Sequence, residues 1–510
     1  MTEYQIHRHM TGGVRLVARK RMSTAKTINR TLRPKRLIIP MTQQLGPPAT
    51  PSVVPGQRVI TGQPVGAPGR APSAAVHAPR SGEVIAVEER LVPGGSQLLK
   101  SQCVVLAVGD KSTGVDIEPP SEWPNSDADR IQAIRNAGIV GLGGAAFPTA
   151  DKLGTTERCD TLILNGAECE PYISCDDMLM REHATEILRG TQTMLDLLGA
   201  ESCLLGIERD KRVAIESMAA AIVDLGDARI RLAAVTIKYP AGGERQLIEL
   251  LTGVEVPSGE YPIAAGCVCQ NVGTAYAVDR LVRLGEPLTT RIVTVTGEGV
   301  AEPQNVEVPI GTPIRELIAH CGGYVGDVPR LILGGTMMGY AVSSDELPVT
   351  KATNCVIAVH GDEIRDRYEE WPCIRCGDCA DVCPARLLPQ VLLPRSRTYD
   401  FDQLEILGLN DCIECGCCDV VCPSHIPLTE YFRDAKRAQR LHEQHQHLAD
   451  TSQIRYLSKQ ERLRLQNEQS ELHHTELKAQ VAKDSGSRQE TIQAAVNRVQ
   501  RRRSSKNKIT

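Results

Sequence analysis

Cys373-Ile374-Arg375-Cys376-Gly377-Asp378-Cys379-Ala380-Asp381-Val382-Cys383-Pro384 and Cys412-Ile413-Glu414-Cys415-Gly416-Cys417-Cys418-Asp419-Val420-Val421-Cys422-Pro423 are two copies of one pattern, Cys-x2-Cys-x2-Cys-x3-Cys-Pro. Thiolates are soft ligands that suit iron-sulfur centres, and a short loop with three of them wraps three corners of a cube before a proline ends the run. In this pattern the fourth corner comes from the other copy. One cluster then takes Cys373, Cys376, Cys379 and Cys422, and the other takes Cys412, Cys415, Cys418 and Cys383. Zinc is the alternative for paired Cys-x2-Cys, but it needs only four cysteines per metal and gives no reason for the x3-Cys-Pro ending to occur twice. The expectation is two 4Fe-4S clusters and a chain that moves electrons one at a time.

Working outward, 510 residues exceed what one hydrophobic core supports, so three to five domains are expected. The remaining cysteines are scattered without a disulfide-like framework and the first residues carry no signal-peptide pattern, which fits a reducing cytoplasm. No apolar run approaches the roughly 20 residues that span a bilayer. Membrane association is therefore expected through partners or a surface contact. A net charge of -4 and an aromatic content of 3% argue against nucleic acid as a partner.

Residues 1–45 form a basic N-terminal extension that ends in an apolar stretch, Arg36 to Pro40, expected to pack onto the next module. Residues 46–115 alternate apolar and polar positions between glycine turns, the pattern of small antiparallel strands. The stretch resembles the barrel-sandwich module of biotinyl and lipoyl carriers, but its turn has Arg80 and Ser81 in place of a modifiable lysine. It is read as structural. From 120 to 284, helical stretches near 130–137 and 182–198 alternate with apolar strands near 161–164 and 204–206, which indicates an α/β layer structure. Residues 285–350 open with the β-branched run Arg291-Ile292-Val293-Thr294-Val295-Thr296-Gly297 and resemble the soluble-ligand-binding β-grasp (SLBB) module. The double-cluster segment, 360–432, resembles a small helical ferredoxin domain. Beyond it, 433–510 is so rich in Gln, Glu, Lys, Arg and His that a polar helix or a disordered tail is expected, with a docking arm as the functional alternative. The fold class is multidomain, α/β and α+β.

One segment of the α/β unit adds chemistry. Gly138-Ile139-Val140-Gly141-Leu142-Gly143-Gly144-Ala145-Ala146-Phe147-Pro148-Thr149-Ala150-Asp151-Lys152 puts small residues where a backbone can approach anionic oxygens, with a lysine beyond them. It has neither the Walker nor the dinucleotide-fold spacing. Alone it reads equally as a tight structural turn. Together with Asn165-Gly166-Ala167-Glu168-Cys169-Glu170-Pro171-Tyr172, Lys238-Tyr239-Pro240-Ala241-Gly242-Gly243-Glu244 and Gln270-Asn271-Val272-Gly273-Thr274, it resembles the flavin-binding subunit of respiratory complex I. With the sandwich before it and the β-grasp and double-cluster segments after it, residues 35–432 resemble the C-subunit family of Rnf/Rsx ion-translocating oxidoreductases.

That resemblance implies FMN as cofactor and NADH as substrate. It implies that Gly141, Gly143, Gly144 and Lys152 cradle the flavin phosphate, that Asn165 and Glu168 line the isoalloxazine and ribityl part, and that Asn271 and Thr274 contact the flavin. Glu170 and Glu244 are expected beside the nicotinamide as the catalytic pair, and Phe147 against the adenine. Leu142, Ala146 and Ala167 stand where the complex I pattern has arginine, glycine and aspartate, and the methyl of Ala146 is expected to crowd the cofactor. Each carboxylate and Lys152 also has a bland reading as a solvated or helix-terminal charge. The implied role is a peripheral subunit on the cytoplasmic side of the bacterial inner membrane, with the other members of the complex and a ferredoxin-type carrier as partners. A flavin-free electron relay and a soluble cobalamin reductase-like protein are the competing readings.

Overall fold

Glycine-punctuated alternation produces the first layer pair. A four-stranded antiparallel sheet runs in the order Arg36–Pro40, Leu98–Val108, Gly82–Pro93, Arg58–Val59, facing a three-stranded sheet of Thr50–Pro51, Pro64–Ala67 and Val76–His77. The computed structural model describes residues 9–95, 97–109, 123–363 and 369–506. The expected boundary at 115–120, the onset of the cysteine segment near Arg365 and the basic end beyond Lys506 lie outside the described residues. The sandwich begins earlier than residue 46. Leu37, Ile38 and Ile39 are buried on both faces of the sheet, and Arg36–Pro40 pairs antiparallel with Leu98–Val108, so the stretch expected to pack onto the module is one of its strands.

The α/β unit is built on a four-stranded, all-parallel sheet in the order Ile230–Val235, Ser202–Glu208, Thr161–Asn165, Cys267–Asn271. Buried on both sides, these strands read as nearly continuous apolar runs. Helices cover the two faces. The helix expected near 182–198 is Ala184–Leu198, and a further helix, Cys175–Glu182, precedes it across His183. Chain order places successive strands outward from Thr161–Asn165 in one direction, and then returns to its other side with Cys267–Asn271. The reversal opens a crevice at the carboxyl ends of these two adjacent strands, the usual ligand position in open α/β sheets.

The β-grasp unit is a five-stranded sheet in the order Gln304–Pro309, Thr290–Thr296, Cys355–Val359, Arg330–Leu333, Tyr340–Val342, packed on helix Ile314–His320 through Ile314, Leu317 and Ile318. Its central strand, Cys355–Val359, lies beyond the boundary expected at 350. Nothing local marks it as part of this unit, because it pairs in parallel with Thr290–Thr296 at long sequence separation. On the loop before it, the buried Lys351 donates from Nζ to the carbonyls of Ala75 (2.9 Å) and Gly138 (2.7 Å). One side chain thereby ties the sandwich and the base of the glycine loop to the β-grasp unit. Gly138 has φ of 69°, and an added Cβ would lie 2.2 Å from the Ala75 carbonyl oxygen, so this position requires glycine.

The cysteine segment is made of short helices, Asp378–Asp381, Pro389–Thr398, Phe401–Ile406 and Cys417–Val421, around a few buried side chains such as Leu392, Leu404, Leu409 and Phe432. The chain divides into two compact units, Met1–Asp434 and Ala435–Thr510. The second continues helix Leu428–Lys506, in which nearly every side chain from Leu441 to Ser504 is exposed. Of the two forms expected for the tail it takes the helical one, polar on all faces. Among the described residues, no helix is long and apolar enough to cross a membrane.

Candidate functional site

The crevice is framed by residues at strand ends. Asn165 and Asn271 are register partners on the adjacent parallel strands. Asn165 Nδ2 donates to the carbonyl of Gly242 (2.9 Å), and its Oδ1 accepts from Ala167 N (3.0 Å). Asn271 caps helix Val272–Leu284, its Oδ1 accepting from Gly273 N (2.8 Å). A helix amino terminus thus opens onto the crevice, where it favours an anion.

The glycine loop closes over the same place. Val140 bridges to Pro148 and Gly141 N donates to Phe147 O (2.8 Å), so residues 142–146 form the loop tip. Leu142 N donates to Thr274 Oγ1 (3.0 Å), and a Cβ on Gly143 would be in ordinary contact with Asn271 at 3.5 Å. Gly144 has φ of 114°, and a Cβ there would meet nothing within 4 Å. The backbone at the loop tip is bare on its outer side, as a phosphate cradle requires. Two expected departures read differently in three dimensions. Leu142 and Ala146 are buried in the core of the α/β unit. The methyl of Ala146 points inward, held by a left-handed φ of 49°, so it does not crowd the loop's open side.

Lys152 Nζ reaches Glu244 Oε1 (2.6 Å) and the carbonyl of Cys269 (3.1 Å). It also lies 5.9 Å from the ring centroid of Phe147, which is 6.5 Å from that of Tyr261. Gly141, Gly143, Gly144, Phe147, Lys152, Asn165, Glu244, Asn271 and Thr274 therefore gather around one crevice.

Glu168 and Glu170 do not open onto it in the same way. Glu168 is buried, with Oε2 3.1 Å from Lys211 Nζ and 3.7 Å from Lys20 Nζ, and with Oε1 accepting from Asp176 N (2.9 Å). Lys20 also donates to the Glu168 carbonyl, and Lys211 lies 3.7 Å from Glu208. Burial alone would raise the Glu168 pKa, but the two lysines hold it below the usual carboxylate range. Burial would likewise depress Lys211, and Glu168 and Glu208 hold it up. Asp176, which accepts from Asn271 Nδ2 (2.7 Å), is pushed up to about 7, first by burial and then by the Glu168 charge. Glu170 accepts from the backbone N–H groups of Met337 (3.1 Å) and Met338 (2.8 Å), and burial raises its pKa. Its carboxylate anchors the 335–339 loop of the β-grasp unit. Lys20, Asp176, Glu208 and Lys211 escaped the sequence reading because their partners are distant in the chain and carry no local spacing.

The two cysteine motifs share a backbone as well as a spacing. Arg375 and Glu414 occupy the same motif position with φ of 57°, as do Arg386 and His425 with φ of 55° and 52°, and Gly377 and Gly416 are likewise left-handed. Left-handed conformations at non-glycine residues are costly, and their recurrence shows that both copies wrap in the same way. Cys383 lines one pocket together with Cys412, Cys415 and Cys418. Backbone amides point at two of those sulfurs, Leu387 N at Cys383 Sγ (3.3 Å) and Glu414 N at Cys412 Sγ (3.4 Å), a donor arrangement suited to thiolates around a cluster. In the other set Trp371 N donates to Ser424 O (2.9 Å) and Ser424 Oγ to Pro372 O (3.0 Å), which brings the start of the first motif beside Cys422 at the end of the second. Cys373 and Cys376 are exposed, Cys379 is buried and Cys422 is half-buried.

Known proteins carry the same modules in the same order. Residues 8–111 match the RnfC barrel sandwich hybrid domain, 134–280 the Nuo51 FMN-binding domain, 292–341 the SLBB domain and 372–426 the 4Fe-4S dicluster domain. The cofactors of these domains are FMN and two 4Fe-4S clusters, and the donor sets above fit both. Among solved structures, an NAD+-reducing [NiFe]-hydrogenase matches at 21% identity over 61% of each chain with a TM-score of 0.45. The C subunit of the ion-translocating oxidoreductase complex of Pseudomonas aeruginosa is 45% identical over 90% of this chain and 59% of its own length. The Pectobacterium atrosepticum protein of the same name is 40% identical over 98% of this chain and 71% of its own length. The chain thus spans roughly three fifths to seven tenths of the length of these relatives. On that identity and coverage, the chain belongs to the C-subunit family of ion-translocating oxidoreductase complexes.

Proposed function

We propose that this chain is the peripheral electron-transfer subunit of a membrane-bound complex that couples electron flow between NADH and ferredoxin to ion translocation. Its place is the cytoplasmic side of the bacterial inner membrane, beside the other members of the complex, with a ferredoxin-type carrier as electron partner and no role for nucleic acid. The observation that carries this reading is one crevice, built from a bare glycine loop, Lys152 and a helix amino terminus, in the same compact unit as two interlocked cysteine motifs.

Gly141, Gly143 and Gly144 would hold the FMN phosphate with their backbone amides, and Lys152 would supply the cation once released from Glu244. Asn165, Asn271 and Thr274 would orient the flavin from the strand ends and the loop. Glu168, whose carboxylate is committed to Lys211, would line the flavin with its backbone alone. Phe147 offers a flat face for an adenine ring. Glu244 and Glu170 would be the acidic groups near the nicotinamide, Glu244 from the crevice and Glu170 from beneath the 335–339 loop, which its carboxylate fixes. When bound, FMN would supply the step between one hydride, which carries two electrons, and clusters that accept one electron each, which would make the chain a two-to-one converter.

The test is anaerobic purification and reconstitution, followed by assay of iron, sulfide and flavin per chain and by addition of NADH. Two clusters and one FMN, with flavin and clusters bleached by NADH, is the expected result. Clusters reducible by dithionite in a chain without flavin and inert to NADH would instead make it a relay.

A further inference from the structure

Loop 238–244 touches the crevice at one end and the cysteine segment at the other. At the crevice end, Gly242 O accepts from Asn165 and Glu244 pairs with Lys152. At the other end stands Tyr239, which is buried. Its hydroxyl donates to the carbonyl of Cys415 (2.8 Å), and its own carbonyl faces Cys417 Sγ at 3.9 Å. Its backbone is clamped in both directions by Val14, N to O at 2.9 Å each way, and the neighbouring Gly13 N donates to Val382 O (2.7 Å), next to Cys383. Val14, Tyr239, Cys415 and Cys417 form a small buried seam, with Cys169 and Met337 packed against it. Cys417, which breaks the cluster spacing, is thereby accounted for as part of the seam.

We infer that Tyr239 is a positioning residue that locks the 412–418 cysteine loop to the flavin-side loop, tunes the cluster held by Cys383, Cys412, Cys415 and Cys418, and makes that cluster the one facing the flavin. The inference rests on the two-cluster, flavin-binding reading above. Its physical basis is a buried hydroxyl dipole whose positive end points at the backbone of a ligand. Hydrogen bonds near the ligands and burial set cluster potentials, and a donor so placed favours the reduced, more negative cluster. The other cluster, with Cys373 and Cys376 exposed, faces outward.

The experiment is a redox titration followed by low-temperature EPR on the full chain, anaerobically reconstituted. In Tyr239→Phe both clusters should load, and one of them should become about tenfold harder to reduce at a given potential, about 59 mV for one electron. The shift should persist in a Cys376→Ser background and be absent in Tyr431→Phe, whose hydroxyl bonds Glu370 on the exposed side. Cys417→Ala, which loosens the contact to the Tyr239 carbonyl without removing a ligand, should move the same signal less. Both clusters loaded with both potentials unchanged in Tyr239→Phe, or moved equally, would overturn the inference. If Tyr239→Phe fails to hold iron, unchanged potentials in a fully loaded Cys417→Ala would overturn it. A wild-type chain with fewer than two clusters would instead remove the reading on which it stands.

Discussion

In the crevice between Asn165 and Asn271, each functional side chain already has a partner supplied by the chain itself. Asn165 holds Gly242, Asn271 holds Asp176, Glu168 is caged by Lys211 and Lys20, and the whole arrangement sits on a buried parallel sheet. Among the described residues, the cysteine segment is supported differently: Tyr239 holds the Cys415 carbonyl, and the exposed Arg386 pairs with Glu249 and Glu255. Its helices before Leu428 run from four to ten residues, below the length at which a helix is stable by itself, and its core is a few leucines and one phenylalanine. The contrast teaches that the two regions obtain order differently. One is preorganised by packing and buried charge, and the other draws much of its folding free energy from ligation, as small metal-bound domains do.

Removing the iron is the strongest way to break this comparison. Anaerobic chelation should strip amide-exchange protection from about residue 371 to 434 by orders of magnitude, while 134–284 keeps its protection. Equal loss in both regions would mean that the crevice depends on the clusters as well. Within the segment the two loops should also differ. Cys415→Ser removes a proposed ligand from the pocket and its seam with Tyr239, so it should lower stability more than Cys376→Ser, at a proposed ligand that is exposed.

A second prediction attacks the crevice side. Lys211→Met leaves Glu168 and Glu208 buried without their shared cation, which should cost about 3–5 kcal/mol in urea unfolding of the α/β unit. Iron loading should be unaffected if the two regions are independently ordered. This cage also marks where the sequence stops being legible. Eight cysteines stand out by spacing because three of each expected set of four lie in one short loop, and the glycine loop and the parallel strands show through composition. Lys20, Lys211 and Asp176 show nothing, since a lysine bonding a glutamate 148 or 43 positions away has no periodicity to betray it. The same long-range pairing hid strand Cys355–Val359, and only the folded β-sandwich shows that Arg36–Pro40 is its strand.

The pH response sharpens the contrast further. Asp176 titrates near 7 in the folded protein and near 4 when unfolded, so between those values the folded state holds the extra proton and stability falls as pH rises. Asp176 keeps some access to solvent, so the effect is on the order of 1 kcal/mol. Asp176→Asn retains an acceptor for Asn271 and should flatten the stability profile from about pH 4 to 7 in chemical denaturation. An unchanged slope would show that Asp176 is ordinarily ionised and that the Glu168 cage does not reach it.

The smallest expected effect on stability falls on the pair most directly tied to the proposed ligand. Lys152 and Glu244 are both partly exposed, 27% and 40%, and an ion pair in that setting contributes little, so Lys152→Ala should cost less than about 1 kcal/mol. Flavin affinity should nevertheless fall by about tenfold or more, because a phosphate cradle without its cation loses a charge-assisted contact. The two measurements separate the regions' logics within one residue. A side chain that folding hardly needs, held by one partly exposed salt bridge and one carbonyl beside a bare glycine loop, is kept available for an anion. If Lys152→Ala bound FMN as tightly as the parent chain, the cation would have to come from elsewhere around the crevice. Lys20 and Lys211, already committed to Glu168, could supply it only by opening the cage, and the roughly 3–5 kcal/mol placed on Lys211 argues against that.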